Sequence, residues 1–189
     1  MKIQSTLLAL LVCLLVSNLN AQTPRQIASR KIKIVSTRSI DNRKGENTLK
    51  MNTTQYDRRG NVLESIDFNK DSVKTSWDQY EYNRHGDETL HRILNVKDGT
   101  VSKSIQTKFD KWKREIERSE MNGDGTITES IRWEYNTLDD KISEITVDGS
   151  GKILRKTLFV YDKKGMLISR STYNGEGTLI LEKNNTYTY

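Results

Sequence analysis

The sequence predicts an all-β fold: an antiparallel up-and-down meander of repeats of about 26 residues with two strands each, forming a curved sheet or a soluble barrel. Three observations predict it. Tyr56, Tyr82, Phe109, Tyr135, Tyr161 and Tyr187 are separated by 26, 27, 26, 26 and 26 residues, and a fixed period of this size marks a repeat architecture. Asp or Asn follows five of these aromatics, and Asn69, Asn95, Asn122, Asp148 and Asn174 follow the first five at thirteen residues. Between these turn-forming residues, apolar and polar side chains alternate with the period of a strand.

The chain begins with Met1-Lys2, an apolar run from Leu7 to Val16 and a small residue at Ala21. This is the pattern of a secretory signal, residues 1–21, too short to span a bilayer comfortably. Cys13, the only cysteine, lies in that run, and Val12 stands where a lipoprotein signal has a small residue. Residues 22–189 therefore hold no disulfide, thiolate metal site or cysteine nucleophile. They form one β-repeat domain of an exported protein, periplasmic or extracellular. Removing Lys2 from 31 basic residues against 25 acidic ones leaves +5. The charges are interleaved in sign, as on solvated strand faces, and nucleic-acid binding is not expected.

Residues 30–55 read as a degenerate first copy, with Ile32-Lys33-Ile34-Val35 as a strand and Asp41 to Asn47 as its turn. Terminal repeats are atypical because they have one neighbour. Further repeats start at 56, 82, 109, 135 and 161. In the second strand of each, Ile127, Ile131, Trp133 and Tyr135 share one parity, as do Ile153, Thr157, Phe159 and Tyr161, and Val101, Ile105 and Phe109. Ile105, Ile131, Trp133, Tyr135, Phe159 and Tyr161 are expected in or near the core. In the first strand, Leu63, Ile116, Ile142 and Ile168 lie five residues before the apolar position that precedes the next turn. That odd interval calls for a bulge or a strong twist. Ten to twelve strands result, with no helix of useful length.

Asn122-Gly123-Asp124-Gly125-Thr126-Ile127-Thr128 looks like a calcium loop. Its relatives at Asp148 to Ile153 and Asn174 to Leu179 share turn chemistry and not ligand oxygens. Ile131 stands where a bidentate carboxylate would close the shell. It is read as a hairpin turn, with no metal and no cofactor.

The residues Phe159 to Ser169, FVYDKKGMLIS, resemble the YD repeat of Rhs-type secreted bacterial proteins, in which Tyr-x-Tyr-Asp-x-x-Gly precedes an apolar strand. Tyr80 to Leu90 and Thr54 to Glu64 match it less fully, and the copies at Phe109 and Tyr135 have Lys113 and Asp139 in place of the glycine. The resemblance covers Thr54 to Tyr189 and implies β-hairpins winding into a curved sheet. The layout is also similar to small secreted repeat proteins of gut bacteria whose function is unassigned. That likeness implies export and supplies no active-site residues.

Two functions are compatible with this reading. One is a non-catalytic binding module for an envelope component, an anionic glycan or a partner protein. The other is a structural protein that self-associates, as a homo-oligomer, through sheet edges or one apolar face. An enzyme is not expected, since the only histidines, His85 and His91, sit in a turn and a polar strand stretch. A lipid-embedded barrel is disfavoured because the aromatic-bearing positions are shared with Lys103, Glu129, Arg155 and Lys183. Cations near a bilayer midplane cost about 2–4 kcal/mol each.

The candidate ligand-binding residue is Trp112, an indole in a turn where other repeats have Arg59, His85, Leu138 and Lys164. Lys111, Lys113 and Arg114 surround it, and Arg84 and His85 of the preceding copy lie along the same rim. Ser72, in Asp71-Ser72-Val73, resembles the Asp-Ser/Thr-apolar sequence that some gut bacteria O-glycosylate on exported proteins.

Overall fold

The computed structural model describes residues 22–41 and 48–188. The expected signal segment, residues 1–21, and residues 42–47 of the first turn lie outside the described residues. A short helix, α1 (Pro24–Ser29), comes first, started by a capping box between Thr23 and Gln26 with proline in its first turn. Ile27 is its buried residue, and Pro24 lies against Gly60, where a Cβ would strike the Pro24 carbonyl. The helix thus closes off the first described hairpin turn.

Twelve strands follow: β1 (Ile34–Asp41), β2 (Thr48–Tyr56), β3 (Val62–Phe68), β4 (Lys74–Tyr82), β5 (Glu88–Leu94), β6 (Val101–Phe109), β7 (Glu115–Asn122), β8 (Ile127–Tyr135), β9 (Lys141–Asp148), β10 (Ile153–Tyr161), β11 (Leu167–Asn174) and β12 (Leu179–Asn184). They form one antiparallel meander in sequence order, and β1 does not pair with β12. The sheet is open, not a barrel.

Most of the described turns share one construction. The leading Asp or Asn accepts backbone N–H groups two and four residues on: Asp57 from Arg59 and Asn61 at 2.8 and 2.9 Å, and Asn136 from Leu138 and Asp140 at 2.8 and 3.0 Å. The fourth residue takes a left-handed conformation. Lys113 and Asp139 do so at φ 70 and 67, so the two copies without glycine keep the turn, at the steric cost a Cβ carries there. The calcium-like stretch is a turn of the same backbone form. Asn122 N donates to Thr126 O at 2.9 Å, and Asp124 accepts the Thr126 N–H at 2.8 Å.

The expected first-strand bulges are present. Tyr56 pairs with Val62 where Gln55 pairs with Glu64, which leaves Leu63 as the extra residue. The same step leaves Ile116, Ile142 and Ile168 extra in β7, β9 and β11. The second strands carry bulges as well, at Ser102, Thr128 and Leu154. These overturn one expectation. Because a bulge flips the alternation, Val101, Ile127 and Ile153 point away from the face that carries Ile105, Ile131 and Thr157.

The consequence is two apolar rows on opposite faces. One face, here the tyrosine face, has Tyr56, Tyr82, Phe109, Tyr135 and Tyr161 along one rim. The opposite face has Phe68, Leu94, Met121, Val147 and Tyr173, with Val101, Ile127 and Ile153 as neighbours, along the other rim. Each strand packs against its sequence neighbours, and no second layer among the described residues covers either row. Ile105, Ile131, Trp133, Tyr135, Phe159 and Tyr161 are consequently half-buried and not core residues. Among the described residues the buried apolar side chains are Ile27, Leu94 and Val147. Small hydroxyl residues fill the middle of the sheet: Ser119 shares a 2.8 Å hydrogen bond with Ser130, and Thr157 a 3.2 Å one with Thr172.

Candidate functional site

Two tyrosines of the row satisfy a backbone carbonyl at the start of the preceding strand. Tyr135 Oη donates to Glu115 O at 2.8 Å, and Tyr161 Oη to Lys141 O at 2.9 Å. Each accepting carbonyl lies next to a bulged residue and beyond the last pair on the side of the tyrosine's own strand. Burial, aided by Glu88, Tyr80 and Asp57, pushes the Tyr82 phenol up to about 12, so that phenol is neutral at physiological pH. The tyrosine row is a structural spine, and what lies along its rim is free to vary.

Trp112 uses that freedom. Its backbone N–H is held by Asp110 at 2.8 Å, while its side chain is 61% exposed. Lys111 Nζ lies 4.2 Å from the indole centre and the Arg114 guanidinium 4.7 Å. Arg114 also lies 4.6 Å from the Tyr135 ring, so it sits between the two aromatics. Its charge is already balanced: it pairs with Asp110 and with Asp139, each at 2.7 Å. It thereby ties the Asp110 turn to the next one, where Leu138 is 75% exposed. Trp112 and Leu138 form neighbouring apolar tips on this rim.

The rim does not gather every candidate residue. Arg114 turns toward Asp139 of the following repeat, and Arg84 and His85 make their contacts on their own turn and the preceding one. Those two interact with one another, Arg84 Nε lying 3.0 Å from His85 Nε2, and Arg59 Nη1 donates to Arg84 O at 2.6 Å. Lys113 is exposed at the left-handed turn position. Ser72 holds the equivalent position at φ 61 in the β3–β4 turn and is exposed. His91 bonds to Asp78 at 2.7 Å and stacks on Tyr80 with ring centres 4.6 Å apart, a packed pair in the middle of the sheet.

A second feature was not legible from sequence. Across the tyrosine face, cations alternate with rings: Arg118 and Lys141 lie 5.7 and 5.3 Å from Trp133, and Lys141 and Arg170 lie 6.0 and 5.7 Å from Phe159. Glu144 bonds the Trp133 Nε1–H at 3.0 Å and Lys141 at 3.3 Å. Burial raises its carboxyl, but these partners outweigh that and hold it below the usual carboxylate range. Placing this row requires the register across every bulge.

No family model matches the chain, and no curated protein matches it. Among solved structures it is similar to TcdB2-TccC3-TEV, with a TM-score of 0.47 and 13% identity over 79% of this chain and 10% of that one. It is also similar to a porin-like protein from Bacteroides uniformis ATCC 8492, with a TM-score of 0.37 and 12% identity over 82% of this chain and 56% of that one. The chain spans a tenth of the first and little more than half of the second, and neither likeness carries an argument about ligand or activity. No helix among the described residues is long and apolar enough to cross a membrane.

Proposed function

We propose that this is an exported, non-catalytic binding module that holds an anionic glycan of the cell envelope against its tyrosine rim. The observation that supports it is Trp112: an indole 61% exposed, in a turn whose geometry does not need it, with Lys111 over the ring. Most of the indole stays open to a sugar ring despite Lys111 and Arg114 over it, and the ammonium groups of Lys111 and Lys113 can meet acidic substituents. Trp112→Ala is expected to abolish binding to acidic oligosaccharides in a glycan panel while leaving the melting temperature nearly unchanged. Loss of more than about 2 kcal/mol of folding free energy would mark a packed aromatic instead, and a parent protein that binds no glycan would end the proposal.

A second reading, self-assembly, is favoured by one observation. β12 is exposed along its whole length, with Leu179 at 46%, Ile180 at 58% and Leu181 at 51%. An apolar strand that pairs only with β11 among the described residues is a template for another strand. Sedimentation that stays monomeric up to high concentration removes this reading.

A further inference from the structure

On the tyrosine face, β11 and β12 place Arg170 directly opposite Lys183. Like charges opposite one another across an antiparallel pair destabilise it, and the repeat does not impose them here. The same register position holds Glu144 opposite Thr157, Arg118 opposite Ile131, His91 opposite Ile105, and Ser65 opposite Asp78. Arg155, on β10 of the same face, is a third cation, where equivalent positions hold Glu129, Lys103 and Ser76. All three are exposed.

The ion pairs of this face go elsewhere: Lys103 to Glu120, Arg118 to Glu115 and Lys141 to Glu144. Arg155, Arg170 and Lys183 enter none among the described residues. Glu144, which feels the field of Arg155, is already bound to Trp133 and Lys141. Strands β10 to β12 thus carry a strip of cations that form no ion pair among the described residues. Arg155 stands at one end, Arg170 and Lys183 at the other, and the buried hydroxyls of Thr157 and Thr172 lie between, with the exposed Leu181 beside Thr172. Four residues separate Arg155 from Phe159, which pairs with Arg170, so the strip runs about 13 Å along the strands.

We propose that this strip is a binding site for an acidic polysaccharide, whose carboxylate or sulfate groups meet the cations at its two ends. A strip with charge at both ends and the exposed Leu181 beside two buried threonines between them suits an extended chain of sugar rings, which carry apolar faces as well as repeated acidic groups. It does not suit a single-stranded nucleic acid, which needs open aromatic faces for its bases. Here Phe159 is flanked by Arg170 and Lys141, and Trp133 by Arg118 and Lys141. The site rests on the reading of the protein as a glycan-binding module and does not depend on Trp112.

The test is calorimetric titration of the full chain with an oligogalacturonate, with neutral dextran and an oligothymidylate of matched charge as comparisons. The variants are Arg170→Gln with Lys183→Gln, and separately Trp112→Ala. The double variant is expected to weaken galacturonate binding at least tenfold and to flatten its salt dependence. Without ligand it should melt higher than the parent, because a like-charge pair is gone. Galacturonate affinity within twofold of the parent overturns the site. Equal binding of the oligothymidylate overturns the ligand class. Loss in the double variant but not in Trp112→Ala upholds this site and removes the rim reading, and the reverse pattern does the opposite. A parent that binds no galacturonate overturns this inference, and the wider glycan panel then decides the rim reading by itself.

Discussion

Gly149→Ala is expected to destabilise the protein by about 3 kcal/mol, the upper end for forcing atoms into filled space. In the turn after β9, an added Cβ would collide with the Ile127 carbonyl oxygen at the start of β8, which is backbone and cannot swing aside. Gly123 meets Val101 O in the same way, and Gly175 meets Ile153 O. The position therefore recurs with the repeat, and it is where one hairpin turn rests on the start of the preceding strand. Gly151, two residues on, supplies the contrast. It has φ +88, and a Cβ added there would meet nothing within 4 Å, so alanine costs only the left-handed conformation, about 1 kcal/mol. Urea unfolding of the two variants separates steric approach from backbone conformation. Equal losses would mean that adjacent turns do not touch.

Tyr161→Ala should cost about 2 to 3 kcal/mol, below the full-core value because the ring is half-buried. Tyr161→Phe should cost about 1 kcal/mol, the worth of the hydrogen bond to the Lys141 carbonyl. The ring packs along the tyrosine face, and its hydroxyl satisfies the carbonyl of Lys141, which lies beyond the last β9–β10 pair. Denaturant titrations measure both. If phenylalanine costs as much as alanine, packing along the tyrosine row is not what holds the rim.

The turns and the first-strand bulges were legible because each leaves a mark in spacing. Thirteen residues separate each repeat aromatic from the next turn's Asn or Asp, and Leu63, Ile116, Ile142 and Ile168 break parity with the apolar residue before the next turn. The second-strand bulges leave no such mark. Ile127 and Ile131 are four apart, which reads as one face, and the extra Thr128 between them hides within an ordinary alternation. The half-burial of Ile131 and Trp133 was equally hidden. Alternation says which side chains prefer less water, but not whether that shelter comes from a second layer or from neighbours in the same one.

The candidate site divides along similar lines. Trp112 stood out because the repeat predicts no indole at its position. Arg114 did not announce its direction: the turns before and after it are equidistant, and the carboxylate of Asp139, on the following turn, decides the matter at 2.7 Å. The Arg170–Lys183 pair could not be read without the register, which the second-strand bulges had concealed.

The most direct test of the open, single-layer sheet is thiol labelling of neighbouring residues on its two faces. Cys13 is the chain's only cysteine, so with it replaced by serine, Thr107→Cys reports the tyrosine face and Gln106→Cys the opposite face, both at the centre of β6. In an open sheet both thiols should react in native buffer within about tenfold of the rate in the unfolded chain, with no need for an opening step. Protection of one of them by several orders of magnitude, relieved only by denaturant, would show a second layer over that face and contradict the single-layer sheet.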